Sequence, residues 1–137
     1  MYKNLNIYFY QNLAKLFYAV ATADKVVRKE EFDKLKVLVE EQWLEVDDTE
    51  DDYGTDAAYQ LEIVFDWLLF KDFKANTCYD EFVKYAEEHP YFFTESLNSQ
   101  ILKTAASVAS AFSGQNKSEL ILLAKLDMLL KSILEPK

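Results

Sequence analysis

Apolar residues recur at three- and four-residue spacing through most of the chain, which is the repeat of one face of an α-helix. This pattern predicts six helices. The first is expected over residues 4–23 and the second over residues 29–46. The other four are marked by apolar residues within 61–69, 77–88 and 97–112, and from 116 onward.

The connections between these helices contain few turn residues, since the whole chain has two Gly and two Pro. Sheets with tight hairpins usually need more of them, so an all-α, single-domain bundle of about six helices is expected over residues 1–137. Thr77 with Asp80 resembles a capping box that opens the fourth helix, and Asn116 with Glu119 resembles one that opens the sixth. Pro90 predicts a break at its preceding residue.

The sixth helix is apolar nearly all round, from Leu120 to Ile133, with few charged positions. A helix of this kind is either central in its bundle or part of a contact between subunits. We expect the central position, and the sequence leaves a homodimer open.

Two helix–turn–helix stretches match each other at an offset of 88 residues, which predicts two pseudo-repeated helical hairpins. The same pattern also arises when unrelated hairpins converge. Val20, Ala21, Ala23, Lys29, Glu31, Leu35 and Leu38 match Val108, Ala109, Ala111, Lys117, Glu119, Leu123 and Leu126.

The first of these stretches, Ala21–Glu31, resembles the signature of the TerB-like family, which is Ala-x-Ala-Asp-Gly and then Glu seven residues after the Asp. Asp24 and Glu31 keep that spacing. The family is named for a bacterial tellurite-resistance protein and includes a domain of a DnaJ-like membrane-associated chaperone. The resemblance covers most of the chain as architecture and about ten residues as a motif. It implies an acidic TerB-like helical bundle in the bacterial cytoplasm, with stress-linked or adaptor roles and no established catalysis.

The chain departs from the family pattern at three positions. Lys25 replaces the Gly, Arg28 stands where a small polar cap is usual, and Phe112 occupies the Asp position of the second copy. Asp24 and Glu31 therefore remain one candidate carboxylate pair for a divalent cation. Helix capping by Glu31 is the simpler interpretation, because a hard cation needs several more oxygen ligands.

The strongest electrostatic feature is residues 37–70, called here the acidic tract. The chain has a net charge of -9, and this tract holds eleven acids without a Lys or Arg. It predicts a docking surface for a protein with a basic surface, and it disfavours nucleic acid as a partner. The alternatives are a solvated loop or a weak cation site, since residues 48–59 depart from the EF-hand pattern. The candidate partner-binding residues are Glu45, Asp47, Asp48, Glu50, Asp51, Asp52 and Asp56.

The inventory of reactive residues disfavours an enzyme. His89 is the one His and Cys78 the one Cys, and there is no Gly-rich phosphate loop. The lone Cys78 is expected to be a structural thiol and fits a reducing cytoplasm. No stretch predicts membrane insertion. We expect an interaction or adaptor protein without a cofactor. The first alternative is a cation-binding, stress-resistance-like protein that uses the Asp24–Glu31 turn and the acidic loop, and the second is an enzyme with a pair of carboxylates as acid and base.

Overall fold

The computed structural model describes residues 7–23, 29–43, 57–71, 74–113 and 117–134. Within these residues the protein contains six α-helices, one 3-10 turn at Pro90–Phe92 and no strand. The all-α fold class predicted from the sequence is therefore confirmed. The helices are α1 (Ile7–Ala21), α2 (Lys29–Trp43), α3 (Ala57–Lys71), α4 (Ala75–Glu88), α5 (Glu95–Ser113) and α6 (Lys117–Leu134).

The first helix, α1, is the centre of the bundle and packs against α3, α4, α5 and α6. Most of its side chains are buried because the sequence is largely apolar and aromatic, whereas Tyr8 is exposed and Gln11, Asn12 and Lys15 are partly exposed along one side. Lys15 lies within 3.0 Å of Glu81 on α4, which pairs its charge at the edge of the core. The buried residues are Phe9, Tyr10, Leu13, Ala14, Leu16, Phe17, Tyr18, Ala19, Val20 and Ala21.

The expectation that the sixth helix is central is wrong. Helix α6 packs mainly against α5, and buries Leu126 and Leu130 while leaving Met128 exposed. The physical reason is charge, because a helix with several ionised side chains is costly to bury on all sides. The charged residues of α6 are Lys117, Glu119, Lys125, Asp127 and Lys131.

The break predicted at Pro90 is confirmed. Helix α4 ends at Glu88, and His89 has φ -132° and ψ 53°, outside the helical region. A proline ring disfavours helical geometry in the residue before it, so α4 stops and Pro90 begins the 3-10 turn. This turn redirects the chain into α5.

The predicted cap of α4 is wrong. The helix begins at Ala75, and its N-cap residue Lys74 makes no side-chain cap. Thr77 lies inside the first turn, where its backbone N–H donates to Asn76 Oδ1 at 2.9 Å. A cap that the sequence reasoning missed opens α5, where the Leu97 N–H donates to Thr94 Oγ1 at 3.2 Å. The other predicted cap, Asn116, lies outside the described residues.

The two predicted hairpins are alike in burial where their first helices end. Val20 and Ala21 are buried on α1, as are Val108 and Ala109 on α5. Their second helices pack differently. In the second hairpin α6 packs on α5, the first helix of that hairpin, whereas in the first hairpin α2 lies mainly against α3 and α5. The duplication stays a prediction.

None of the helices in the described part of the chain is long and apolar enough to cross a membrane.

Candidate functional site

The structure does not describe the acidic partner-binding residues predicted from the sequence. Helix α2 ends at Trp43 and α3 begins at Ala57, and the predicted residues lie between them in sequence. The predicted surface therefore stays a prediction at Glu45, Asp47, Asp48, Glu50, Asp51, Asp52 and Asp56.

The predicted carboxylate pair also falls outside what the structure describes. Asp24 is not among the described residues, and Glu31 belongs to α2 but its side chain is not described. Elsewhere, the described residues hold no group of three or more His, Cys, Asp or Glu side chains placed to bind a metal ion. The cation site stays a prediction.

Helix α3 exposes three large apolar side chains on the side turned away from the core. Ile63 is 45% exposed, Trp67 45% and Phe70 83%. Positions i, i+4 and i+7 lie along one face of a helix, so these residues form a single stripe, called here the outer face of α3. Apolar residues grouped in this way on a surface mark sites of interaction with other molecules.

The opposite side of α3 faces the core, which makes the helix apolar on two faces. The buried face, Leu61, Val64, Phe65 and Leu68, packs toward α1 and α2. The apolar spacing of residues 61–69 predicts this buried face, and Glu62 and Asp66 predict that the other side is polar and exposed to solvent. The signal that this prediction missed is the i, i+4, i+7 spacing of Ile63, Trp67 and Phe70 beside those acids.

Charged side chains border the outer face of α3. Asp66 Oδ1 accepts a hydrogen bond from Lys36 Nζ of α2 at 2.7 Å, and the same ammonium lies 3.6 Å from Asp33. At the end of the helix, Lys71 Nζ lies 5.9 Å from the centre of the Phe70 ring. Two acids therefore share the Lys36 ammonium at one edge of the stripe, while the acidic tract contains no Lys or Arg of its own.

The aromatic residues around His89 form a packed cluster. The His89 ring stacks on Tyr85 with centroids 4.3 Å apart, and its Nδ1 lies 3.0 Å from the Tyr85 carbonyl oxygen. Phe93 is buried beneath them, and Tyr91 is exposed. Burial, with a smaller effect of Tyr91, raises the pKa of Tyr85 to about 12. These contacts hold the corner between α4 and α5, and they give His89 a structural role.

Cys78 is buried on α4. Burial, and to a lesser extent the nearby Glu81 carboxylate, raises the pKa of its thiol to about 11. A thiol with such a pKa is almost wholly protonated at neutral pH, and the thiolate is the nucleophilic form. Cys78 is therefore a core residue, as the sequence predicts.

A groove of about 290 Å³ lies between the start of α4 and α6. Burial, with a smaller effect of Asp80, raises the pKa of Tyr79 on its wall. This volume is at the lower limit for a small-molecule site. Its lining residues are Ala23, Ala75, Asn76, Tyr79, Asp80, Ile121, Leu122 and Lys125.

Comparison with models of known protein families, with curated proteins and with solved structures found no match for this chain. The resemblance to the TerB-like family stays a prediction from the sequence.

Proposed function

We propose that this chain is a non-catalytic interaction protein that docks a basic, partly apolar segment of a partner protein on the outer face of α3. One observation is the main support for this proposal. The exposed side chains of Ile63, Trp67 and Phe70 lie on a helix of the acidic tract, the part of the chain that holds eleven acids and no Lys or Arg.

Each component of this surface has a separate role in binding. A large aromatic side chain at a protein interface supplies much of the affinity, because it removes a large apolar area from water. The excess negative charge of the acidic tract attracts a basic partner from a distance and disfavours an acidic one. The partner that fits is therefore a helix or extended segment with an apolar side and Lys or Arg beside it.

The proposal agrees with what the TerB-like resemblance implies, which is an adaptor role in the bacterial cytoplasm with a link to stress. The divalent-cation alternative rests on Asp24, Glu31 and the acidic loop, and the described residues add no observation in its favour.

The direct test uses two labelled amphipathic peptides, one of Leu and Lys and one of Leu and Glu, measured by fluorescence anisotropy. We expect the Leu–Lys peptide to bind the wild-type chain and the Leu–Glu peptide not to bind. Phe70→Ala should raise the Kd for the Leu–Lys peptide at least about tenfold, since truncating an aromatic hot-spot residue of an interface costs about 2 kcal/mol or more. Tyr91→Ala is the matched control, because Tyr91 is also an exposed aromatic but lies on the 3-10 turn.

A second arm tests the acidic residues by neutralisation to Asn or Gln. We expect slower association of the Leu–Lys peptide and a weaker dependence of the rate on salt. Equal affinity for both peptides, or no effect of Phe70→Ala, would show that the outer face of α3 is not the docking surface. The neutralised residues are Asp47, Asp48, Glu50, Asp51 and Asp52.

A further inference from the structure

Helix α6 exposes its own apolar stripe, called here the outer face of α6. Leu120 is 49% exposed, Ile121 47% and Met128 70%, and Ala124 between them is also exposed. Positions 120, 121, 124 and 128 fall on one side of a helix. Leu126 and Leu130 hold the opposite side in the core, so the outer face is presented without any unfolding.

The charges beside the outer face of α6 are mainly basic. Lys117, Lys125 and Lys131 are exposed along it. Lys131 Nζ lies 3.0 Å from Asp127 Oδ2, one turn earlier on the same helix. The outer face of α6 is thus an apolar stripe with lysines beside it, which is the chemistry that the outer face of α3 fits.

We propose that the partner of the outer face of α3 is the outer face of α6 on a second copy of this chain, so that copies associate head to tail. This inference rests on the proposed function, because it names the partner of the same α3 surface. The charges are distributed unevenly along the chain, which favours such a contact. All 15 Lys and Arg lie outside the acidic tract, together with the other 13 acids.

The position of the two helices makes this contact intermolecular. Helix α3 packs on α1 and α2, whereas α6 packs on α5, α4 and α1. Because each helix is fixed in the bundle by its buried face, a chain does not bring its own two outer faces together. Each copy offers one surface of each kind, so the contact is heterologous and leads to rings or open chains.

The association is weak. Two helical stripes of three or four apolar side chains each bury less than the roughly 1,200 Å² that stable interfaces begin with. A Kd on the order of 0.1 mM is therefore expected. The net charge of -9 on every copy opposes close approach as well.

The test is a complementation experiment on the full chain by sedimentation velocity, from about 10 μM to 1 mM. The wild type should show mass increasing with concentration, and Phe70→Ser and Met128→Glu should each raise the Kd at least about tenfold. A mixture of the two variants should form a 1:1 complex, because each keeps the surface that the other has lost. Tyr91→Ala should associate as the wild type does.

Four results would overturn the inference, and the peptide measurement separates it from the proposed function. A wild type that stays monomeric at 1 mM while binding the Leu–Lys peptide through Phe70 would end self-association and leave the docking surface in place. Wild-type association that both variants retain would place the contact elsewhere. If each variant is monomeric and a mixture of the two forms no complex, the contact does not join α3 of one copy to α6 of another. If the wild type neither associates nor binds the peptide, both proposals fail.

Discussion

The central position of α1 can be tested by comparing three truncations at positions of different burial. Leu13 on α1 is fully buried, Leu130 faces the core from α6, and Met128 lies on the outer face of the same helix. Leu13→Ala removes three carbons, worth about 0.8 kcal/mol each in transfer free energy. The space left behind adds to this, so a loss of about 3–4 kcal/mol is expected, within the range measured for buried leucines in other cores.

The other two variants show how the loss of stability depends on burial. Leu130→Ala should cost about 2–3 kcal/mol, because an edge helix closes more easily on the space left behind. Met128→Ala should change the free energy of unfolding by less than about 0.5 kcal/mol, as exposed substitutions usually do.

Urea unfolding followed by far-UV circular dichroism measures these differences, and an unchanged m-value shows that they reflect stability. For a chain of this length, Leu13→Ala should lower the Tm by roughly 10–15 °C. The reasoning is refuted if the free energies of unfolding of Leu13→Ala and Met128→Ala differ by less than about 0.5 kcal/mol. It is also refuted if Leu130→Ala costs more than Leu13→Ala, because α6 would then be the helix that holds the bundle together.

Two further predictions concern single side chains. Thr94→Ala should destabilise the protein by about 1 kcal/mol in urea unfolding, because the Leu97 N–H loses its cap, whereas Thr94→Ser should retain most of the stability. Since the pKa of Tyr85 is raised to about 12, the folded chain keeps this phenol protonated while the unfolded chain ionises it near 10. Its contribution to stability is therefore complete below about pH 10 and is lost as the pH rises toward 12. In an absorbance titration at alkaline pH, Tyr85→Phe should remove an ionisation step near pH 12, and its persistence would contradict the assignment.

The helices and the break at Pro90 were predictable because they depend on local patterns. Periodic apolar residues and a proline act within a few residues of themselves, so no knowledge of the tertiary structure is needed. The start of α4 was not predictable in this way. Thr77 and Asp80 have the spacing of a capping box, but the helix begins at Ala75 without a side-chain cap.

The all-round apolar pattern of α6 predicts a central helix, and this prediction is wrong because its charged positions, though few, disfavour burial on all sides. Burial on all sides depends on how many ionised groups must leave water. The number of charged residues distinguishes the two helices. Helix α1 contains one, Lys15, whereas α6 contains five, among them Lys117 and Lys131.

The acidic part of the candidate surface was predicted from the sequence and stays a prediction, whereas its apolar part was not predicted. The acidic tract was evident from composition, since a run of acids is visible without a structure. The outer face of α3 was not predicted, because Glu62 and Asp66 beside Ile63, Trp67 and Phe70 indicate a polar, solvated side. Only the packing of the opposite face toward α1 and α2 shows which apolar side remains exposed.

The extensive burial of α1 has a consequence for the synthesis of the chain on the ribosome. Ile7–Ala21 is synthesised long before its main packing partners, and about 90 residues separate its end from the end of α5 at Ser113. At about 5–20 residues per second, that delay is roughly 5–20 s. During this time a largely apolar helix has no finished core to enter, so a nascent chain is exposed to aggregation until α4 and α5 have emerged.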